Sequence, residues 1–214
     1  MKNDADLYIM ERELLQKGYS LICGIDEAGC GPLAGPVYAA AVILDPGNAL
    51  EGLNDSKKLS EKKREELFEQ IREKALAWSV ASASEGEIDE INILQARLLA
   101  MRRAVSDLKL APELALVDGN RDPSLGIETL CIVRGDSKSA SIAAASVLAK
   151  VSRDRYMQEL ASKYPEYLFE VHKGYPTKMH IEKILQHGEC PAHRKSFLKK
   201  IYAREKHEDV DRRS

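Results

Sequence analysis

Apolar residues near the start of the chain fall at Leu7, Met10, Leu14 and Leu15, one side of a helix predicted over residues 4–17 and ended by Gly18. The period then changes. Residues 21–25 and 37–44 are continuous apolar runs of strand length, the second stopped by Asp45-Pro46-Gly47. The connection between them carries Gly29, Gly31, Pro32, Gly35 and Pro36. Ser60 followed by Glu61 and a charged stretch to Lys74 predicts a capped surface helix. Residues 77–83 predict a third strand, and helical spacing returns over residues 91–108. Short apolar runs at 114–117 and 129–133 predict strands four and five. Residues 137–164 predict a long helix whose many alanines would let it lie close against a sheet.

Three early strands followed by strands alternating with helices predict a mixed α/β sheet. With no repeat, low-complexity segment or interdomain linker, the expected organisation is a catalytic domain over residues 1–164 and a C-terminal helical lobe over 165–203. Residues 204–214 are expected to be a disordered tail. The length, 214 residues, suits one sizeable core, and 44% hydrophobic with 31% charged residues is ordinary for a soluble globular protein. No apolar run reaches the ~18 residues of a membrane span, and Lys2, Asn3, Asp4 and Asp6 do not begin a signal peptide. A cytoplasmic monomer is expected.

Cys23, Cys30, Cys131 and Cys190 are widely spaced, which fits reduced thiols better than disulfides. Cys190 and His193 form one C-x-x-H, but no second pair completes a zinc site. The net charge of −2 gives no global signature for nucleic acid. Between His172 and Lys206, however, nine Lys and Arg residues face only three Glu. Such a stretch is either a surface for a polyanion or a solvated helical tail.

Acidic residues stand where ligand sites gather in α/β sheets. Asp26 and Glu27 lie where the first strand runs out into the Gly-rich connection, and Asp118 follows residues 114–117 in the same way. Asp136 precedes the long helix, whose N-terminal amides would favour its ionised form. Clustered, these acids would raise one another's pKa values unless a cation lay among them. Oxygen-only donors select Mg²⁺ or Mn²⁺ over zinc. Two such ions about 3.5–4 Å apart suit phosphodiester displacement. Each acid also has an ordinary reading, Asp118-Gly119 as a turn and Asp136 as a helix cap. A P-loop and a G-x-S-x-G elbow are absent, and G-x-G-x-x-x-G with Pro32 makes a poor dinucleotide cradle.

Several longer segments resemble those of ribonuclease HII: G-I-D-E-A-G-C-G-P-L-A-G-P-V (24–37), L-N-D-S-K-K-L-S (53–60), V-D-G (117–119) and G-D-S-K-S-A-S-I-A-A-A-S-V-L-A-K (135–150). H-K-G-Y-P-T (172–177) and H-R-K-S-F (193–197) complete the series, in the family's order. The resemblance implies a ribonuclease H-like fold with a five-stranded mixed sheet flanked by helices. It implies hydrolysis of the RNA strand of RNA–DNA hybrids, and cutting 5′ of ribonucleotides embedded in duplex DNA, with 3′-hydroxyl and 5′-phosphate products. Asp26, Glu27, Asp118 and Asp136 then become the metal-binding catalytic quartet, with Mg²⁺ or Mn²⁺ as cofactor. Gly29, Cys30 and Gly31 match the loop that senses the ribose 2′-hydroxyl, largely through its backbone. Tyr175 matches a tyrosine that packs on the deoxyribose beyond the ribonucleotide, and Lys57, Lys58 and Lys173 are candidate phosphate contacts. Cys30 stands where the family usually has Arg, so activity is expected with altered affinity or selectivity. Two rival readings are a nuclease of the same fold acting on DNA junctions and an inactive nucleic-acid-binding relative.

Overall fold

The computed structural model describes residues 6–199 and 201–203. Strands β1 (Ile22–Ala28), β2 (Val37–Ile43) and β3 (Ala77–Ala83) form an antiparallel meander, with Cys23 opposite Ile43 and Val37 opposite Ala83. β4 (Leu114–Asp118) pairs parallel to β1, Ile25 beside Val117, and β5 (Glu128–Ile132) pairs parallel to β4. The sheet order is β3-β2-β1-β4-β5, the five-stranded mixed sheet expected. Because β1, β4 and β5 run parallel, their C-terminal ends share one edge. That edge receives the acidic residues.

Alternation along the strands gives the sheet two apolar faces. Cys23, Ile25, Val37, Ala39, Ala41 and Val117 pack on one side with Ala96, Ala100 and Met101 of α3 (Glu85–Ser106). Ala40 and Val42 face the other way, onto Ala144, Ala145 and Leu148 of α4 (Ala140–Lys163) and Leu67, Phe68 and Ile71 of α2 (Glu61–Lys74). Burying each large α2 side chain contributes about 1.5–3 kcal/mol. Gly24 lies where α4 crosses β1, and a Cβ there would come within 2.1 Å of the Ser141 carbonyl carbon. The alanines of α4 and the glycine of β1 together permit this close crossing.

Several boundaries differ from the sequence pattern, each for a local reason. α1 spans Ile9–Gln16 and begins after Asp6, which accepts a hydrogen bond from the Tyr8 N–H; residues 4 and 5 of the expected helix lie outside the described residues. β1 continues to Ala28, so Asp26 and Glu27 are paired strand residues, opposite Ala40 and Ala39, and not the start of the loop. α3 starts at Glu85, because Ser84 and Glu87 form a capping box. Asn92, with φ 65°, breaks α3, and its side chain caps the second segment through the N–H groups of Leu94 and Gln95. β5 sits at an edge and is largely exposed, Leu130 at 40%.

The expected start of the long helix also moves. α4 begins at Ala140, with Ser139 as its cap, and Asp136 lies in a separate 3₁₀ turn, Gly135–Ser137. Asp136 is therefore not the capping group of α4.

Past Pro165 the chain forms a 3₁₀ turn (Pro165–Tyr167), α5 (Phe169–His172), α6 (Lys178–His187) and helical turns over residues 195–199 and 201–203. Tyr167 and Phe169 pack on Met157 and Leu160 of α4. These C-terminal elements are also stitched to the Gly-rich connection: the Leu33 N–H donates to the Gly174 carbonyl, Gly35 N–H to Ala192, and Arg194 N–H to Leu33. Three buried histidines fix the turn holding Tyr175. His180 Nδ1 donates to the Tyr175 carbonyl at 2.9 Å, and its Nε2 meets His193 Nε2 at 3.1 Å. His193 Nδ1 accepts from the Cys190 N–H, so the C-x-x-H pair closes a hydrogen-bonded turn. The tail over residues 204–214 lies outside the described residues. No helix among the described residues is long and apolar enough to cross a membrane.

Candidate active site

The acids come from three elements that end at the same sheet edge. Asp26 and Glu27 lie near the C-terminal end of β1, Asp118 is the final residue of β4, and Asp136 follows β5 in its 3₁₀ turn. Adjacent strand residues point to opposite sheet faces, and the partners of Asp26 and Glu27 follow that rule. Asp26 is 6% exposed on the α4 side, where the Ser146 hydroxyl favours its ionised form. Glu27 faces α3, whose Arg97 Nη1 donates to Oε1 at 3.1 Å. The Cys30 thiol reaches the same oxygen at 3.5 Å. Asp118 Oδ1 accepts from the Gly135 N–H at 2.6 Å, fixing the turn that carries Asp136.

Burial is the main influence on the ionisation of three of these acids. It pushes Asp26 well above the usual carboxylate range, and the charges of Glu27 and Asp118 push it further. Glu27 is raised by burial and held back by Arg97. Asp136 is raised by burial, then by Asp55 and Asp118. That direction opposes the expected lowering by a helix N-terminus, because the α4 amides serve Ser139 and Glu11 instead. Lys57 is flanked by Asp26, Asp136, Asp55 and Asp118, whose charges raise its pKa against the opposing effect of its own burial.

A cavity of about 220 Å³ opens on this edge. Asp26, Glu27, Gly29, Cys30, Gly31, Lys57 and Tyr175 line it, with Ser56, Ser146 and Lys150. The Tyr175 ring lies against Gly31, where a Cβ would stand 3.9 Å from Cε1. Lys58 pairs loosely with Asp55 at 3.9 Å, and Lys173 turns its carbonyl to Arg153; neither side chain lines the cavity. Cys30 is no activated thiol: burial and then Glu27 push it up to about 12.

Sequence reasoning passed over five residues that lie beside these acids or against the Gly-rich connection. Asp55, in the L-N-D-S-K-K segment, caps the turn presenting Lys57, and its charge helps push the Asp136 pKa up. Arg97 belongs to a helix whose pattern reports only its apolar side. Ser146 lies inside the alanine-rich run. Arg153 and Arg194 are fully buried and look like surface residues in sequence.

The side chains fit a hard divalent cation. The donors are carboxylate oxygens only, which suits Mg²⁺ or Mn²⁺, and Glu27 Oε2 is buried with no hydrogen-bond partner. Among the described residues no three acidic, His or Cys groups already converge on a single ion position. Asp26, Glu27 and Asp118 are instead each held by a local partner: Ser146, Arg97 and the Gly135 N–H.

Comparison with known proteins agrees with this geometry. The model of the family described as Ribonuclease HII matches residues 23–202. A ribonuclease HII of Caldicellulosiruptor bescii is 55% identical over 201 residues, covering 94% of this chain and 98% of the relative. Among solved structures, the ribonuclease H2 of Pyrococcus horikoshii superposes with a TM-score of 0.72 at 28% identity, covering 86% of this chain and 98% of that one. A Bst-RNase HIII solved in complex with Mn²⁺ shares the fold, with a TM-score of 0.67 at 20% identity over 80% or more of this chain (82%) and 65% of that one. A matched segment this long, together with the acid-lined sheet edge, places the chain in the ribonuclease HII family.

Proposed function

We propose that this ribonuclease H cuts on the 5′ side of ribonucleotides embedded in duplex DNA, as well as the RNA strand of RNA–DNA hybrids, by two-metal phosphodiester hydrolysis leaving 3′-hydroxyl and 5′-phosphate ends. The observation that carries the reading is the shared cavity: buried Asp26 and half-buried Glu27 open onto the same space as Gly29–Gly31 and Tyr175. Asp26, Glu27, Asp118 and Asp136 are the residues that would hold Mg²⁺ or Mn²⁺, which supplies charge stabilisation and activation of water. Ser146 keeps Asp26 oriented, and Arg97 does the same for Glu27. Lys57 offers its ammonium to a phosphate at the cavity wall. Gly29, Cys30 and Gly31 approach the ribose with main-chain groups, and Tyr175 packs against the neighbouring sugar. Lys58 and Lys173 contact phosphates further along the duplex. Residues 1–164 carry the catalysis and 165–203 the substrate-binding lobe, in a monomer acting in the cytoplasm.

The test is cleavage of a duplex carrying one ribonucleotide, with Mg²⁺ or Mn²⁺ and the cut site mapped. Cutting 5′ of the ribonucleotide is expected from the wild type. Asp118→Asn, which removes one charge and weakens the hold on Gly135, should lower the rate by about 10²–10³-fold, the usual cost of losing a charge-stabilising group. An inert wild type refutes the reading, and an unaffected Asp118→Asn refutes the site. Preferential cutting of all-DNA junctions would favour a different nuclease.

A further inference from the structure

Arg153 on α4 and Arg194, just ahead of the helical turn at 195–199, have no exposed surface. Among the described residues neither lies within ion-pairing distance of a carboxylate. Burying an unpaired guanidinium is costly, and two near each other more so. Burial and the Arg153 charge pull Arg194 down to about 10, which leaves it charged at neutral pH. Such a pair persists only if its donors are well used.

All six hydrogen bonds made by these guanidiniums go to main-chain carbonyls. Arg153 donates to Pro36 (3.2 Å), Ala34 (3.0 Å) and Lys173 (3.0 Å). Arg194 donates to Gly35 (2.8 Å), Cys30 (3.2 Å) and Gly29 (2.6 Å). Five of those carbonyls belong to the Gly-rich connection and the sixth to the turn bearing Tyr175. A trans peptide directs its C=O and N–H to opposite sides. Drawing the Gly29 and Cys30 carbonyls inward to Arg194 therefore turns the Cys30 and Gly31 N–H groups outward. Among the described residues these two N–H groups have no protein acceptor, and both residues line the cavity. Gly29 makes the approach possible: its φ is +101°, and a Cβ would stand 2.2 Å from Arg153 Nε.

We propose that Arg153 and Arg194 are positioning residues for ribonucleotide recognition. They orient the two peptide planes between Gly29 and Gly31 so that the N–H groups of Cys30 and Gly31 donate to an oxygen of the bound ribose–phosphate. They also tie that loop to Lys173 and so to Tyr175, setting the two walls of the cavity together. The side chain at position 30 is then free to turn to Glu27, and the loop draws its positive field from beneath. This inference rests on the reading that residues 29–31 contact the nucleotide.

Binding without metal tests it separately from catalysis. Fluorescence anisotropy in EDTA would compare two duplexes differing only in one ribonucleotide, using wild type, Arg194→Lys and Arg153→Lys. Lysine keeps the charge and loses the fork of donors. Each variant should lose about tenfold of the preference for the ribonucleotide duplex, the scale of a charge-assisted hydrogen bond. A role confined to stability would lower the melting temperature and leave that preference intact, which overturns the proposal. Should the variants fail to fold, the amide resonances of wild-type Cys30 and Gly31 decide it. They should shift with the ribonucleotide duplex and not with the all-DNA duplex, and identical responses to both overturn the proposal. A wild type that neither prefers nor cuts the ribonucleotide duplex refutes the functional reading itself; one that does both, with unaltered variants, refutes only the role of the arginines.

Discussion

Gly24→Ala adds a single methyl group at the crossing of β1 and α4, two residues before Asp26 on the same face of the strand. The new Cβ would stand 2.1 Å from the Ser141 carbonyl carbon, 2.3 Å from Ile142 N and 2.4 Å from the Ser141 oxygen. All three are backbone atoms, so no rotamer change relieves the clash. Carbon atoms rest about 3.5 Å apart, so 3.5 − 2.1 gives a retreat of α4 by about 1.4 Å. Overpacking of this kind costs about 1–3 kcal/mol, and the upper end applies because a helix axis must move. For a chain of this size about 3 kcal/mol corresponds to a melting temperature lower by about 6–12 °C. α4 carries Ser146 to Asp26, and the turn holding Asp136 leads directly into it. A displacement of about 1 Å at reacting groups can cost about 10²-fold in rate. Thermal melting followed by circular dichroism, with kcat on a ribonucleotide-containing duplex at saturating metal, measures both effects. Gly86→Ala is the control, since a Cβ there meets nothing closer than Ser84 Oγ at 3.9 Å in the first turn of α3. A Gly24→Ala protein with wild-type melting and kcat would refute the close crossing as what positions the site.

Arg97→Gln removes the charge that holds the Glu27 pKa down. Glu27 should then keep its proton to higher pH, moving the acid limb of the pH–rate profile upward; an unmoved limb would contradict the pairing. Asp26, Glu27 and Asp136 are raised in the folded chain, so the stability they contribute is present below their unfolded pKa values and lost as pH rises through the folded ones. Melting temperature in EDTA should therefore fall from mildly acidic toward neutral pH, and the increment on adding Mg²⁺ should grow over the same range. An increment independent of pH would count against these acids as the ligands. Native thiol titration should modify exposed Cys131 first, while Cys30 and Cys23, both pushed up to about 12, react slowly. Fast modification of Cys30, mapped by mass spectrometry, would show that its thiol is not held at Glu27.

Period and punctuation in the sequence determined the strands, the long helix and the order of elements, because burial on a sheet face leaves a repeating apolar signal. Chemistry that repeats no pattern showed only as candidates at the strand ends, as with Asp26, Glu27, Asp118 and Asp136, and the family motifs turned those candidates into a named set. The tertiary structure decided what depends on contacts between distant residues. Helical spacing over residues 91–108 could not tell that Arg97 would meet Glu27, 70 positions away. Nor could it show that Asp26 and Glu27 serve opposite faces of one strand, or that Asp136 belongs to its own turn. Arg153 and Arg194 are the clearest case. In sequence they are ordinary charged residues, because nothing local announces a buried guanidinium whose partners, Lys173 apart, are carbonyls more than 100 residues away. Hydrophobic periodicity records which side chains leave water; the direction of a peptide plane is set only when the chain folds back upon it.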